Sequence, residues 1–400
     1  MALPLSDSIS LSSTAALNDS LATIAQQYGV LGMNVLVVTP DSIRYSYNYG
    51  ISNTEKSTPV TDTTFFRIAS ISKSFVASGI MLLLQKGLLD LDQDINLYLG
   101  YSLRNPSFPE TPLTIRQLLT HTSSLSDGPN YEKFLMLSYS DSIYPITSYI
   151  LPDGSYYNDG DCWQEAEPGT TFEYCNLAFG ILGTIIEKVS HQRFDQYMVN
   201  QILKPLGMQA SFNIQDIADL NHLATIYRYI DGQWVPQKDD YNGNEPQLAD
   251  LSHYELGTNG LIFSPQGGLR CHILDMARFL QLFLDTDHVE SFSPFKTETI
   301  SQMMAKNWSG ESHEGLYKAK ALGLHITEDL IPGVPLIGHS GSAYGLHSDM
   351  YADLDNHRFG IIFMTNGLQR DLKGERVFNA IEEDVFRAVY QILINAKGNF

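Results

Sequence analysis

Phe65-Phe66-Arg67-Ile68-Ala69-Ser70-Ile71-Ser72-Lys73 leads directly into an apolar run, Phe75 to Leu84, that stops at Lys86-Gly87. Ten residues are too few to cross a bilayer and suit a buried core helix. The spacing predicts a helix from about Ser70 to Lys86, with Gly87 as its stop. On such a helix Ser70 and Lys73 lie three residues apart on one face. A serine hydroxyl is a weak nucleophile at neutral pH, and a neighbouring amine can take its proton if burial lowers the amine's pKa. A helix start adds backbone N–H groups and the positive end of the dipole, both useful to a developing oxyanion. Ser-x-x-Lys alone says little, because Ser293-Pro294-Phe295-Lys296 matches it too. A plain helix cap followed by a lysine is the bland alternative.

Two further motifs change the weight. Tyr174-Cys175-Asn176 follows the turn signal Glu167-Pro168-Gly169-Thr170. In extended chain, residues two apart face the same way, so Tyr174 and Asn176 can enter one cleft. A phenol beside a cationic lysine has a lowered pKa and can act as a base. The Asn176 amide can hold a substrate carbonyl and orient Lys73. The simpler alternative packs Tyr174 on the core and makes Asn176 a helix cap, and Tyr156-Tyr157-Asn158 has the same spacing. His339-Ser340-Gly341 is expected to end an apolar strand. Gly341 lets another backbone lie close, and the N–H of Ser342 is a candidate oxyanion donor alongside that of Ser70. His339 is a candidate donor to a substrate carboxylate, or a group that tunes Tyr174.

Outward from these motifs, strands lie at both ends and helices between. Residues 14–28 read as a helix, Met33 to Thr39 and Ser42 to Tyr49 as an antiparallel pair across Pro40-Asp41. Ile115 to Leu119, Asn176 to Val189, Phe194 to Leu203 and His272 to Leu284 read as helices. Ala321 to Ile326, Val334 to His339, Ser348 to Ala352 and Gly360 to Thr365 read as strands, and about 374–396 as a last helix. Segments 151–170 and 231–269 read as loops. Their aromatics, with Tyr131 (Tyr156, Tyr157, Trp163, Trp234, Tyr241), either stack on an acyl group or pack the loops. The pattern predicts an α/β (α+β) fold. Residues 1–70 and 312–400 form a discontinuous sheet lobe, residues 71–311 a mostly helical lobe, and the active site lies between.

Composition narrows the function. The 400 residues carry a net charge of −20. That argues against nucleic acid as a partner, since no basic footprint exists. Three cysteines, Cys162, Cys175 and Cys271, form no C-x-x-C pair and allow at most one disulfide. The eleven histidines show no His-x-x-x-His or His-Glu-x-x-His pattern, so no metal site is expected, and His121 reads as a core or loop histidine. The first basic residue is Arg44, so no secretory leader is legible. The oligomeric state stays open.

The three motifs, in this order and at these spacings, resemble the class C branch of the β-lactamase and penicillin-binding-protein family of serine hydrolases. That branch includes DD-peptidases, D-aminopeptidases and related esterases. Leu113-Thr-Ile-Arg-Gln-Leu-Leu-Thr-His-Thr-Ser123, Glu167 to Tyr174, Gly267-Gly268-Leu269 and Gly338-His-Ser-Gly341 extend the likeness over roughly residues 15–395. The resemblance implies an antiparallel sheet flanked by helices and an acyl-enzyme on Ser70. Lys73 and Tyr174 share the proton work and Asn176 positions Lys73. No metal or organic cofactor is implied. The substrate is a small molecule or peptide with a scissile carbonyl group, and the setting is periplasmic or secreted. Three departures stand out: His339 begins the third motif instead of lysine, Cys175 is the spacer of the second, and Ser124 replaces a glycine. The histidine suits a peptidase or esterase better than a dedicated β-lactamase. A non-catalytic penicillin-binding sensor, or a structural, self-assembling member of the same fold, is the alternative.

Overall fold

The computed structural model describes residues 3–4, 10–139, 143–242, 244, 246, 250–311, 318–354, 358–372 and 378–395. A nine-stranded antiparallel sheet forms its backbone. Its strands run in the order Thr58–Pro59, Ile43–Asn53, Gly32–Val38, Gly360–Thr365, Leu346–Ala352, Leu336–Ala343, Leu324–Thr327, Ala319–Ala321 and Trp308–Ser309. The first and last parts of the chain therefore interleave at the sheet's centre, where Val35 lies opposite Phe363. Side chains alternate across a strand, so the central strands feed two cores. Met33, Val35, Val37, Ile361 and Phe363 pack under the N-terminal helix Leu11–Tyr28 and the C-terminal helix Ala380–Val389. Leu36, Val38, Ile362 and Met364 face the helices Ser72–Gln85 and Ile273–Leu284. Burial on both sides is why these strands read as unbroken apolar runs rather than as alternation.

The helix Ser72–Gln85 is the centre of the second core. Phe75 stacks on Phe279 with ring centroids 3.8 Å apart. Phe75, Val76, Ile80 and Met81 are wholly buried, each worth roughly 1.5–3 kcal/mol of apolar transfer. Gly79 faces the sulfur of Met198, where a methyl group would sit 2.9 Å away.

Several boundaries differ from the sequence reading. The run Ala321 to Ile326 is a hairpin, Ala319–Ala321 and Leu324–Thr327, turned at Gly323 with φ 66°. The strand expected to end at His339 continues to Ala343, so the third motif lies inside it. Segment 231–269 is not all loop, since Gln233–Lys238 pairs with Ile226–Ile230. The last helix covers Ala380–Val389 and widens into a π-helical turn at Tyr390–Ile394; the expected start at 374 and end at 396 fall outside the described residues. Cys162, Cys175 and Cys271 are buried free thiols, and no disulfide joins them. Among the described residues no helix is long and apolar enough to cross a membrane.

One polar network joins segment 231–269 to the stretch that leads into Ser70. Arg67 and Arg270 lie opposite each other in a two-stranded pairing. Both reach the carboxylate of Asp239, Arg67 Nε at 3.0 Å and Arg270 Nη2 at 2.7 Å. Burial pushes that carboxyl up, but the two guanidiniums outweigh it and hold Asp239 well below the usual carboxylate range. Asp239→Ala leaves two guanidiniums without a counter-charge. The expected cost is about 3–5 kcal/mol, read as a lowered urea midpoint at unchanged slope.

Candidate functional site

Ser70 precedes the helix instead of lying in it. It occupies the 3₁₀ turn Ala69–Ile71, and the helix proper begins at Ser72. Ala69 takes φ 44°, a left-handed conformation that an alanine adopts at a cost of about 1–2 kcal/mol. The turn is held from outside: Ile68 N–H donates to Leu269 O at 3.1 Å, and Ser348 Oγ donates to Ile68 O at 3.0 Å. Ser72, adjacent to the nucleophile candidate, accepts from Leu269 N–H at 3.1 Å. Gly341 completes the contact, because a Cβ there would lie 2.5 Å from Ile68 O and 3.0 Å from Ser70 N. Glycine is therefore required at 341 for the strand to approach the turn.

Lys73 reaches back from the first turn of the helix. Its Nζ donates to Ser70 Oγ at 2.9 Å, to Asn176 Oδ1 at 2.8 Å and to Gln266 O at 2.7 Å. Three acceptors use all three donors of an ammonium group. The residue is fully buried, and burial brings its pKa down to about 7. The charge of Asp127 opposes the drop, and that of Lys320 adds to it. Near neutrality a substantial fraction of Lys73 is thus an uncharged amine beside the hydroxyl.

Asn176 is the first residue of the helix Asn176–Ser190, and Cys175 is its cap, with the thiol accepting from Ala178 N–H at 3.4 Å. Asn176 is therefore free of capping duty. Its Nδ2 donates to Asp127 at 2.7 Å, and Leu177 N–H donates to the same carboxylate at 2.8 Å. That fixes which end of the Asn176 amide faces Lys73. The Tyr174 ring lies with its centroid 4.9 Å from Lys73 Nζ.

The third motif is only partly assembled as expected. The ladder between Leu336–Ala343 and Leu324–Thr327 ends at Gly338. From His339 onward, among the described residues, the strand pairs only with Leu346–Ala352, which leaves its other edge facing the cleft. His339 and Gly341 share the face turned to the Ser70 turn. Alternation sends the side chains of Ser340 and Ser342 to the opposite face, so these two residues offer the cleft backbone, not hydroxyls. His339 Nδ1 donates to Ser340 O at 2.6 Å. Burial, with Lys320 and Lys73 nearby, holds the ring well below the usual histidine pKa, hence neutral. Nε2 is then an acceptor, and it has no partner among the described residues. The expected donation to a substrate carboxylate does not fit this arrangement.

Sequence reasoning missed three contributors. Asp127 was not singled out, and it orients Asn176. The backbone carbonyl of Gln266 binds Lys73. Lys320, fully buried on Ala319–Ala321, is brought by burial to about 7. Nothing in the local pattern Tyr317-Lys318-Ala319-Lys320-Ala321 distinguishes it from the exposed Lys318. Ser124 adopts φ 64°, which explains why a glycine suits that position. Of the expected aromatics, Tyr131 is buried, Tyr156 packs on Phe134 and Tyr144, and Trp234 packs on Tyr227 and Tyr229. For those three the loop-packing alternative holds.

The beta-lactamase family model matches residues 17–383. Protein flp of Staphylococcus aureus (strain MRSA252) is 24% identical over 341 residues, 85% of this chain and 60% of its own. The chain thus spans about three-fifths of that curated relative. An octameric penicillin-binding protein homologue from Pyrococcus abyssi superposes with a TM-score of 0.71 at 24% identity, covering 95% of this chain and 77% of that one. The D-amino acid amidase from Ochrobactrum anthropi SV3, complexed with L-phenylalanine amide, gives 0.70 at 21% identity, covering 95% and 98%. At these identities the structural likeness establishes the fold.

Proposed function

The chain belongs to the beta-lactamase family, and from that premise we propose that it is a serine hydrolase acting on amide or ester bonds through an acyl-enzyme on Ser70. The observation that carries the reading is the 2.9 Å contact between Lys73 Nζ and Ser70 Oγ, made by a lysine with a pKa of about 7. In the uncharged state Lys73 accepts the Ser70 proton as Oγ bonds to the substrate carbonyl carbon. The carbonyl oxygen gains the negative charge and takes hydrogen bonds from the N–H groups of Ser70 and Ser342. Tyr174, beside Lys73, passes the proton to the leaving amine or alcohol as the carbonyl carbon's bond to it breaks. Water then attacks the Ser70 ester, gives its proton to the same pair and restores the hydroxyl. Asn176 holds Lys73, and Asp127 holds Asn176.

His339 bears on the substrate class. A neutral ring with an acceptor turned inward offers no cation to a carboxylate, which favours neutral esters and amides over carboxylate-bearing ligands at that position. The whole motif set of Ser70, Lys73, Tyr174, Asn176 and His339 is present, which supports catalysis over a structural role. Pre-steady-state turnover of p-nitrophenyl butyrate tests the reading. The expected trace is a burst approaching one equivalent of p-nitrophenol, followed by steady release. A single equivalent with no further release would turn the reading to a stalled sensor.

The second buried lysine predicts a pH effect. A cation at Lys320 disfavours a cation at Lys73, so it lowers the Lys73 pKa. In Lys320→Met that repulsion is gone and the Lys73 pKa rises. The acid limb of kcat/KM, near pH 7 in the natural chain, is expected to move to higher pH, with activity at pH 7 reduced. An unmoved limb would show that Lys73 does not govern it.

A further inference from the structure

Tyr174 lies in neither helix nor strand: residues 172–175 have no regular secondary structure and lead into the helix Asn176–Ser190. A phenol that transfers protons needs a more exact position than such a stretch provides by itself. The residue that supplies it is His121, at the end of the helix Ile115–Thr120.

His121 takes φ 59°, a left-handed conformation that histidine adopts more readily than most residues. That turn points its carbonyl and its ring at the same irregular stretch. Its C=O accepts from Glu173 N–H at 2.8 Å. Its Nδ1 accepts from Cys175 N–H at 3.1 Å. The backbone on both sides of Tyr174 is thus tied to one residue. Between these ties the imidazole stacks on the Tyr174 ring, centroids 4.5 Å apart and planes 25° apart. Phe179, 5.3 Å away, and Phe172, 5.7 Å away, surround the imidazole further. Because Nδ1 accepts, the neutral ring carries its proton on Nε2.

We propose that His121 is a positioning residue for Tyr174, clamping the phenol by ring stacking and by paired backbone hydrogen bonds on either side. The inference rests on the reading of Tyr174 as the group that shares the proton work with Lys73. Histidine alone does both jobs. Phenylalanine keeps the stack but leaves the buried Cys175 N–H without an acceptor. Asparagine keeps an acceptor and tolerates the backbone but removes the stack. The neutral state that stacking and acceptance require is maintained by burial, and the charges of Lys320 and Lys73 reinforce it.

The test is a double-mutant cycle on the full chain. His121→Phe and His121→Asn are made alone and with Tyr174→Phe. Single-turnover hydrolysis of p-nitrophenyl butyrate is followed at high enzyme concentration, and thermal melts check folding. Each His121 change alone is expected to lower kcat about 10–100-fold, as loss of exact positioning does, with KM within about threefold. In the Tyr174→Phe background neither is expected to lower it more than about twofold, because the positioned group is already gone. An equal loss in both backgrounds, or a loss confined to KM, overturns the inference while leaving the Tyr174 reading intact. Tyr174→Phe at the natural rate removes that reading, and the inference with it. Should His121→Phe fail to melt cooperatively, His121→Asn carries the same comparison.

Discussion

Ser70→Ala is expected to reduce kcat for p-nitrophenyl esters by at least about 10⁴-fold and to abolish the burst. The size follows from the chemistry. Without Oγ there is no acyl-enzyme, and only the oxyanion donors and substrate binding remain. The fold should tolerate the change. Ser70 Oγ contributes one hydrogen bond to Lys73, and Lys73 keeps its contacts to Asn176 and Gln266. Losing one partly satisfied bond costs about 1 kcal/mol, so the melting temperature should fall by a few degrees at most. Melts and burst amplitudes on the same preparation check both halves. Natural rates in Ser70→Ala would remove the assignment of the nucleophile.

Lys73→Met carries the next largest effect. Methionine matches the length and apolar stem of lysine but neither accepts a proton nor donates hydrogen bonds. The expected loss in kcat/KM is about 10²–10⁴-fold, the range of general-base catalysis. The acid limb near pH 7 should disappear with it. Stability responds to two opposed terms. Asn176 Oδ1 and Gln266 O lose a buried donor, which costs about 1–3 kcal/mol each, while the desolvation of a buried amine is relieved. Lys73→Arg separates charge from basicity, because a guanidinium stays protonated in a protein. It is expected to be as inactive as Lys73→Met although it keeps a cation at the site. Activity in Lys73→Arg with none in Lys73→Met would mean that Lys73 acts by charge alone.

The parts of this molecule legible in the sequence are those where local chemistry and tertiary structure agree. The helix after Ser70, the capped helix Ile115–Thr120 and the central strands gave clear periodicity or unbroken apolar runs. The errors have physical sources. A helix start was placed at Ser70 because Ser-x-x-Lys reads as a helix face, but the left-handed Ala69 forces a 3₁₀ turn first. One strand was read where Gly323 makes a hairpin, because Leu322 and Leu324 hide the turn within an apolar run. His339 was read as a candidate donor to a substrate carboxylate or a group that tunes Tyr174, and nothing in the sequence shows that its Nδ1 donates to Ser340 O.

Within the site, the short-range pair Ser70 and Lys73 was readable by spacing; Tyr174 and Asn176 were paired by alternation in extended chain, although Asn176 begins a helix. Asp127, Gln266 and Lys320 were not. Each contributes through a contact over long sequence distance: Asp127 lies 49 residues from Asn176, and Gln266 lies 193 residues from Lys73. No local pattern encodes such contacts. His121 was read as a core or loop histidine and is buried, and its contact with Tyr174 came to light only when two distant segments met.

The central claim is a covalent intermediate on Ser70, and intact mass is its most direct test. The protein is mixed with p-nitrophenyl butyrate, quenched in acid within seconds, weighed and digested. The account predicts a transient butyryl adduct of one equivalent on the peptide that contains Ser70, absent from Ser70→Ala. Ester turnover with no adduct at any quench time, or an adduct that persists in Ser70→Ala, would contradict it.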